Sequence, residues 1–312
     1  MDILSISSSR NTGLDAPARL RLWIIFLIRK YKKRPINGLL KKPSAIILHI
    51  IAGIGILCVL YGYLIEPYWL EITHIQIQSD KLEKESFRVV QFSDMHCDPE
   101  MRLEEKLIKT INSLEPDILV FTGDAANSHR GIPNFRKTLS RMQAPFGQFA
   151  VNGNWDAFIV QEPDLFLNTG FEELQQDVKL LKKNEDSVQL CGLSYENDSN
   201  IQELISEVDK DIFTIFLYHS PNLVEAFSPS DVDLYLCGHT HGGQIALPFY
   251  GALTTLSKHG KKYETGLYHR ESCNIYVNRG IGMEGGKSPK VRFLARPEIT
   301  VFDIVPHSDK KE

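Results

Sequence analysis

Five short polar motifs contain the side chains of this sequence that are best suited to chemistry. They read DMH, GD, GNWD, YH and GHTH in chain order, and each closely follows an apolar run. The candidate ligands in them are Asp94, His96, Asp124, Asn154, His219, His239 and His241. Carboxylates, imidazoles and an amide oxygen are ligand types that hard to borderline divalent cations accept. The motifs therefore predict a site for two divalent metal ions.

The position of these motifs is as informative as their composition. Each one follows an apolar run that reads as a buried strand, so all of them fall on loops at the carboxyl ends of strands. That edge is where open α/β sheets bind ligands. In DMH and in HTH, residues i and i+2 lie on the same side of an extended chain, so each motif offers two ligands together. Glycines at 123, 153, 238, 242 and 243 are expected to allow the tight turns that bring these loops together.

The elements that must position these loops alternate between strands and helices. Alternating or wholly apolar runs predict strands at 71–78, 87–93, 117–123 and 148–153, and later strands that begin at residues 187, 211 and 232. Helical spacing of apolar residues predicts helices at 103–114 and 171–183. The remainder of the chain reads as strands and turns. This order predicts an α/β fold with two sheets packed together and helices outside.

The order of the motifs resembles that of the calcineurin-like metallophosphoesterases over about residues 71–304. The segments GHTHGGQIALP, VNRGIG and RPEITVF resemble the membrane-anchored bacterial branch of that family. The resemblance implies a four-layer αββα sandwich, the metallo-dependent phosphatase fold. It also implies two overlapping ligand sets. The first is Asp94, His96, Asp124 and His241, and the second is Asp124, Asn154, His219 and His239, with Asp124 as the bridge.

The same resemblance implies a hydrolase. In the family, a water acidified by both metals attacks phosphorus, and the metals neutralise charge on the phosphoryl oxygens. The residues assigned to catalysis are then Asp94, His96, Asp124, Asn154 and His239. Mixed histidine and carboxylate ligands admit Mn, Fe, Zn or Mg, and the resemblance favours Mn. The alternative is a binding scaffold that has lost ligands, but here all seven positions are filled.

One position departs from the family pattern. Where the family has Gly-Asn-His-Asp, this sequence has Gly-Asn-Trp-Asp, with Trp155 in the third position. The family's histidine is assigned to protonating or stabilising the leaving oxygen, and an indole cannot protonate an alkoxide. A phosphate leaving group, with a second pKa of about 6, needs no proton. The change favours cleavage of a phosphoanhydride. Alternatively, Trp155 fills space and another group, such as His129, supplies the proton.

The N-terminal part of the chain differs from the rest in charge and in hydropathy. Residues 1–65 contain ten Lys/Arg and two Asp/Glu, whereas residues 66–312 contain 25 Lys/Arg and 37 Asp/Glu. Residues 45–65 include no charged side chain, and a helix of that length spans about 31 Å, close to the thickness of a bilayer core. We expect a basic leader with a short apolar patch at 1–44, a membrane helix at 45–65 and a metallophosphoesterase domain at 66–312. A buried core helix is the alternative for 45–65.

Charge and cysteine usage limit the partners and the compartment. An acidic domain that handles phosphate needs cations, and its charge argues against a nucleic-acid groove; no protein partner is implied. The five cysteines, at 58, 97, 191, 237 and 273, form no CxxC pair and are typical of free thiols in a reducing compartment. The basic leader instead favours a domain outside the cytoplasm. It predicts that residues 1–44 are cytoplasmic and that a single span puts the domain outside.

A membrane helix, a two-metal centre and a leaving group that needs no acid together fit a membrane-bound nucleotide diphosphate lipid. We therefore expect cleavage of UDP-2,3-diacylglucosamine to UMP and 2,3-diacylglucosamine 1-phosphate, a step of lipid A biosynthesis. Enzymes known for this step belong to the same superfamily. The substrate requires a domain on the cytoplasmic face of the bacterial inner membrane. The alternative is a phosphodiesterase that acts on an envelope glycolipid or phospholipid outside the cytoplasm.

Three residues are assigned to substrate contact. Trp155 could stack on the uracil or line the glucosamine, Asn127 lies in the FTGDAANS loop, and Arg279 lies beside two glycines. Four further cations could reach a substrate phosphate, although each taken singly reads as solvated surface. They are Lys287, Lys290, Arg292 and Arg296.

Overall fold

A computed structural model describes residues 43–284 and 290–307 of the chain. The basic leader up to residue 42, with its apolar patch at 20–28, and Lys287 lie outside the described residues. The larger of two compact units begins at Cys58. The division of the chain at residues 44 and 65 stays a prediction.

The first described element is helix α1, Pro43–Leu64. Its residues are apolar on all sides, and the only buried residue in it is Gly62. Together with the turn that follows, Pro43–Tyr68 is the one stretch among the described residues that is long and apolar enough to cross a membrane. A helix in the core of a soluble protein is buried, so the exposed apolar surface of α1 argues against that alternative.

The first sheet consists of β1 Glu71–Ser79, β2 Phe87–Phe92, β3 Ile118–Phe121, β4 Gln148–Ala150, β5 Phe171–Glu173 and β14 Glu298–Pro306. Its order is β1-β14-β2-β3-β4-β5. Strands β2 to β5 are parallel, so their carboxyl ends meet at one edge. Strand β14 pairs antiparallel with β2 and parallel with β1.

The second sheet consists of β6 Gln176–Lys183, β7 Asp186–Leu193, β8 Phe213–Leu217, β9 Leu234–Cys237, β12 Gly266–Arg270 and β13 Cys273–Val277. Its order is β12-β13-β9-β8-β7-β6, and the four central strands are parallel. A separate two-stranded hairpin follows β9. It pairs β10, Ala246–Leu247, with β11, Gly251–Ala252.

Three apolar clusters show how the layers stack. The middle cluster joins the inner faces of the two sheets, for example Val120 of the first sheet with Leu236 of the second. An outer cluster packs the first sheet against α2, Glu104–Ser113, and α3, Ile132–Leu139. The third packs the second sheet against α4, Ile201–Ser206. The chain is therefore a four-layer αββα sandwich, as the sequence predicts.

The helix predicted at 171–183 is wrong. These residues form β5 and then β6, which pairs antiparallel with β7 through a two-residue turn at Asn184 and Glu185. Asn184 has φ of 52°, a conformation that asparagine tolerates well in such turns. The apolar residues of this edge strand divide between two clusters, with Val178 on the outer face and Leu181 on the inner face. Pairing with β7 outweighs the local helical spacing.

Candidate metal centre

The structure brings all seven sequence-predicted ligands to one edge of the sandwich. Loops after β2 and β3 supply Asp94, His96 and Asp124, and the loop after β4 supplies Asn154. Loops after β8 and β9, in the second sheet, supply the histidines 219, 239 and 241. The charged and imidazole ligands are all buried. Seven polar groups from two sheets thus meet where the parallel strands end.

The first group of ligand atoms belongs to Asp94, His96 and His241. The His241 Nε2 atom lies 3.4 Å from Asp94 Oδ1 and 3.2 Å from His96 Nε2. His96 Nε2 is also 3.5 Å from Asp124 Oδ2. Asp94 is held in place because its carboxylate accepts a hydrogen bond from the backbone N–H of His239, at 3.1 Å from each oxygen. These atoms converge closely enough to hold one divalent cation.

The second group lies on the other side of Asp124. The Asp124 Oδ2 atom is 3.2 Å from His219 Nε2. His219 Nε2 is in turn 3.2 Å from His239 Nδ1. The His219 Nδ1–H donates to the carbonyl of Thr122 at 2.7 Å, and this bond leaves Nε2 free to face the cluster. Asn154 contributes a buried Oδ1 that has no hydrogen-bond partner among the described residues. An orphaned buried carbonyl oxygen suits a cation ligand. The ligand atoms of Asp94, Asp124 and His219 also converge, so Asp94 borders both groups.

Five of these residues have strained backbones. Asp94, His96, Asp124, His239 and His241 have φ between 40° and 72°, a left-handed region that non-glycine residues seldom adopt. The surrounding contacts enforce it. A Cβ on Gly153 would come within 2.1 Å of Asp124 Oδ1, and a Cβ on Gly238 would come equally close to Asp94 Oδ2. The glycines expected at the turns are therefore required by close approach as well as by turn geometry, and the strain is concentrated at the site.

Asp156 is a residue of this site that the sequence reasoning did not assign, although it is the last residue of GNWD. Its buried carboxylate accepts backbone N–H bonds from Asp124 at 2.7 Å, Ala125 at 2.8 Å and Gly153 at 2.9 Å. It thereby fastens the loop after β3 to the loop after β4. The position of Asp124 relative to Asn154 depends on this clamp.

The electrostatics of the cluster favour cations. Burial, followed by the charge of Asp124, raises the pKa of Asp94 to about 7 and that of Asp156 also to about 7. Burial alone would raise the pKa of Asp124 too, but His219 and its neighbours lower it to about 2. Burial lowers the pKa of His96 and of His239 to about 4. Burial acts to lower the pKa of His219, but the charge of Asp124 outweighs burial and raises it to about 9. A cation bound here would displace that proton and balance the charge of the crowded carboxylates.

Trp155 lies against the first group of ligands. Its indole meets the imidazole of His96 edge to face, and its backbone N–H donates to Asp124 Oδ1 at 2.9 Å. The Trp155 side chain, whose only donor is the indole N–H, lies near enough to the carboxylate of Glu284 to act to lower its pKa. Burial, followed by the charge of Asp124, raises the pKa of Glu284. His129, the sequence-level candidate for a replacement acid, is exposed.

The other two predicted substrate contacts have structural partners. The Asn127 amide donates to the carbonyl of His96 at 3.0 Å and towards Asp98 and Met283, at 3.3 Å each. The Arg279 guanidinium is bound to Glu71 at 2.9 Å and to Glu298. Both residues lie beside the centre and brace its loops. Their roles in substrate binding stay predictions.

Arg292 is not the solvated surface residue that the sequence suggests. Its side chain is fully buried, and it donates to backbone carbonyls of Ala295, Gly282 and Arg279. Its Nη2 atom also lies 3.4 Å from His241 Nδ1. The carbonyls belong to residues 279–282 and 295, which lie within 13 positions of Arg292 and wrap around its guanidinium. Arg292 forms the floor behind one of the candidate ligands.

A four-layer sandwich with two clusters of metal-binding side chains at its strand ends defines a metallophosphoesterase. The comparisons with known proteins agree, because a model of the calcineurin-like phosphoesterase family matches residues 87–243. The chain belongs to that family and is a phosphoester or phosphoanhydride hydrolase, as the sequence motifs predict. Family membership also implies that it binds divalent metal.

Among its relatives is the uncharacterized metallophosphoesterase YkuE of Bacillus subtilis, 36% identical over 263 residues that cover 78% of this chain and 89% of YkuE. An uncharacterized metallophosphoesterase of Aquifex aeolicus is 29% identical over 80% of this chain and 97% of its own length. The UDP-2,3-diacylglucosamine pyrophosphatase LpxG of Chlamydia muridarum is 26% identical, over 83% of this chain and 96% of LpxG.

Proposed function

We propose that this protein is a membrane-anchored pyrophosphohydrolase that cleaves UDP-2,3-diacylglucosamine to UMP and 2,3-diacylglucosamine 1-phosphate. The observation that carries the proposal is the Trp155 indole next to His96, at the motif position where the family has a proton-donating histidine. The similarity to LpxG supports the same substrate class. The reaction is one step of lipid A biosynthesis.

Two divalent cations fit the centre. We propose that Asp94, His96 and His241 hold one, that Asn154, His219 and His239 hold the other, and that Asp124 bridges them. The convergence of Asp94 with His96 and His241, and with Asp124 and His219, supports these sets. Cations bound there supply a nucleophilic water at neutral pH and neutralise phosphoryl charge. Manganese is the proposed metal, although the ligand types also admit Fe, Zn or Mg.

The residues around Trp155 explain why an anhydride suits this site. An indole N–H has no proton to give at neutral pH, and here the side chain lies near the carboxylate of Glu284. A departing phosphate is already a stable anion, whereas a departing alkoxide requires protonation. Hydrolysis of a pyrophosphate therefore proceeds without the missing imidazole, and the indole is available to line the substrate.

A cavity of about 570 Å³ supports a lipid phosphate as the substrate class. Tyr63 and Tyr68, from the end of the apolar segment, form one part of its lining. Arg130 and Lys290 add positive charge. Asp98, also in the lining, is bonded through Asn127 to the backbone of His96. Lys290 is ion-paired with Asp98 at 2.6 Å, so Arg130 is the cation that we propose for contact with a phosphate that enters beside the tyrosines.

The proposed substrate also determines the proposed location. Nucleotide sugars are made in the cytoplasm, so the domain faces the cytoplasm and α1 anchors it in the inner membrane. All five cysteines are free thiols, which agrees with a reducing compartment. A fluorescent protein fused after residue 312, of a type that folds only in the cytoplasm, tests this orientation. A dark fusion that is nevertheless full length would contradict it.

The decisive experiment is an assay of detergent-purified protein with Mn²⁺ and UDP-2,3-diacylglucosamine, followed by phosphorus NMR in ¹⁸O-water. We expect UMP and the acylated sugar 1-phosphate, with the label showing which phosphorus is attacked. The Asp94→Ala variant serves as the matched inactive control. No cleavage of this substrate, together with good turnover of an aryl phosphodiester, would support the assignment as a hydrolase and refute the proposed substrate.

One observation favours a second candidate function. Burial, followed by the charge of Asp124, raises the pKa of Glu284, and the Trp155 side chain acts on the same carboxyl, so we propose Glu284 as the replacement for the missing acid. With such an acid, the protein is a phosphodiesterase that acts on an envelope glycolipid or phospholipid. The two candidates differ in how the rate depends on the basicity of the leaving group.

A further inference from the structure

The hairpin formed by β10 and β11 has an unusual tip. Phe249 is completely exposed, and Leu247, Tyr250 and Leu253 are each between 44% and 56% exposed. Phe249 also has φ of 63°, which is a costly conformation for a bulky side chain. A strained backbone that holds an aromatic ring fully in water gains nothing in a soluble setting. Such strain is retained where the exposed group has a function.

The hairpin is held firmly, so its exposure is not an effect of loose packing. Glu264 accepts a hydrogen bond from the backbone N–H of Ala252 at 2.7 Å and an ion pair from Lys261 at 2.9 Å. Lys261 also donates to the carbonyl of Ala252, and its ammonium lies 4.3 Å from the centre of the Tyr250 ring. The base is thereby fixed, with a lysine directly beside the aromatic tip.

A continuous path of backbone contacts connects the hairpin to the end of the apolar helix. The N–H of Ala246 donates to the carbonyl of Phe293 at 2.8 Å. The adjacent N–H of Arg292 donates to the carbonyl of Gly62 at 2.9 Å, and the rings of Phe293 and Tyr61 meet edge to face at 6.0 Å. Leu294, in the same segment, is 49% exposed. The exposed tip and the last turn of α1 therefore share one rigid support.

We propose that the hairpin tip, residues 247–250, inserts into the interfacial region of the same bilayer that α1 spans. The inference rests on the proposed membrane anchoring. Phenylalanine and leucine lose unfavourable contact with water there, and tyrosine with a neighbouring lysine is the pairing that the membrane interface favours. The aromatic residues Tyr63, Tyr68 and Trp69, at the end of the apolar segment, are also exposed and are of the types that the membrane interface favours.

The consequence concerns the metal centre. The hairpin follows directly after His241, and the His239 Nε2 atom lies 3.3 Å from the carbonyl of Leu256, just beyond β11. A single anchor would leave the domain free to rotate relative to the membrane. Two membrane contacts, α1 and the hairpin, fix its orientation. The centre then faces the bilayer from which a lipid phosphate arrives.

The test uses the full chain in nanodiscs and an environment-sensitive fluorophore on a single cysteine. Four native cysteines are buried and Cys58 is not, so Phe249→Cys in a Cys58→Ser background presents one reactive thiol. Leu180→Cys, on edge strand β6 and equally apolar, is the matched control. Spin-labelled lipids report contact with the bilayer. We expect a blue-shifted emission that these lipids quench at position 249, and water-like unquenched emission at position 180.

A third label separates this inference from the anchoring on which it rests. The native Cys58 of the unsubstituted protein, in α1, is quenched by lipid if the helix spans the bilayer. Quenching at Cys58 with none at position 249 would overturn the hairpin inference and leave the anchor standing. No quenching at Cys58 would overturn the anchor. Because Phe249 has no part in the metal centre, the labelled variant should retain its turnover of bis(4-nitrophenyl) phosphate.

Discussion

The indole of Trp155 meets the imidazole of His96 edge to face, with ring centroids 5.2 Å apart and an angle of 89° between the planes. The ring that replaces the family's proton donor thus packs against a candidate metal ligand. The side chain is half-buried and lies near Glu284. The substitution changes the chemistry available to the leaving group.

Restoring the imidazole should broaden the reaction. We expect Trp155→His to raise the turnover of alkyl phosphodiesters by about tenfold, a part of the 10²–10⁴-fold that a well-placed general acid contributes. Anhydride cleavage should change little. Rates over a series of leaving groups of increasing pKa measure this effect. Trp155→Phe is the control, and an equal gain in that variant would show that removing the indole, and not adding the acid, is responsible.

Glu284 offers a direct test of the relocated acid. If the anhydride is the substrate, Glu284→Gln should leave its hydrolysis within about twofold, because no proton is needed. If a diester is the substrate, an acid with a raised pKa must be protonated to act. The diester rate should then fall as pH rises through that pKa, and Glu284→Gln should be slow at every pH. Rate against pH for both substrates distinguishes the two.

The ligand assignment predicts a loss of metal and activity without a loss of fold. Asp94→Ala and His241→Ala should each reduce turnover at least about 10³-fold, since a metal-assisted nucleophile depends on an intact site. The bound metal should fall below two ions per chain by elemental analysis, with an unchanged circular dichroism spectrum. His269→Ala, an exposed histidine on β12, is the control. Substantial residual activity in either ligand variant would refute its assignment.

Asp156 should behave as a positioning residue. Asp156→Ala leaves three buried N–H groups without their acceptor, which costs about 2 kcal/mol of unfolding free energy. Without the Asp156 carboxylate, Asp124 should shift by up to about 1 Å, and kcat should fall about 100-fold. Metal titrations at saturating Mn²⁺ should still give two ions, but with weaker affinity. Asp164→Ala, at an exposed aspartate in the following loop, should change neither quantity.

Asp186 should make the fold sensitive to acid. It accepts backbone N–H bonds from Glu83, Lys84 and Glu85 at 2.6–2.8 Å. Burial acts to raise its pKa, but these donors outweigh burial, so the pKa is lowered. A carboxyl with a lowered pKa stabilises the fold above pH 3.8, its ordinary value, and that stability is lost as pH falls through the folded pKa.

Replacing the carboxylate should therefore remove a pH-dependent contribution. Asp186→Asn should lower the unfolding free energy at pH 7 by about 3 kcal/mol, and its unfolding should depend less on pH below 4 than that of the native protein. Denaturant titrations at several pH values provide the measurement. Asp211→Asn, at an exposed aspartate, is the control. Parallel pH profiles for native protein and Asp186→Asn would exclude the effect.

The sequence predicted the layers and the gathering of the seven ligands, because the motifs follow apolar strands and parallel strand ends share an edge. It misread 171–183, where the spacing of Phe171, Leu174, Val178 and Leu181 imitates a helix and only pairing with β7 decides otherwise. It also misread Arg292, because the turns that direct the carbonyls of Ala295 and Arg279 at its guanidinium leave no periodic pattern in the sequence. The left-handed backbones of the ligands depend on close approach between loops, which no single-sequence pattern records.

The placement of β14 has a consequence for how the protein is made. This strand lies between β1 and β2, pairing with both, yet it is synthesised after every other strand. The sheet that carries Asp94 and Asp124 is therefore incomplete while the ribosome is still translating residues 298–306. By then the apolar helix has long left the ribosomal tunnel. The first sheet therefore closes only once residues 298–306 have been translated, so the edge that carries Asp94 and Asp124 is completed by a late step of folding.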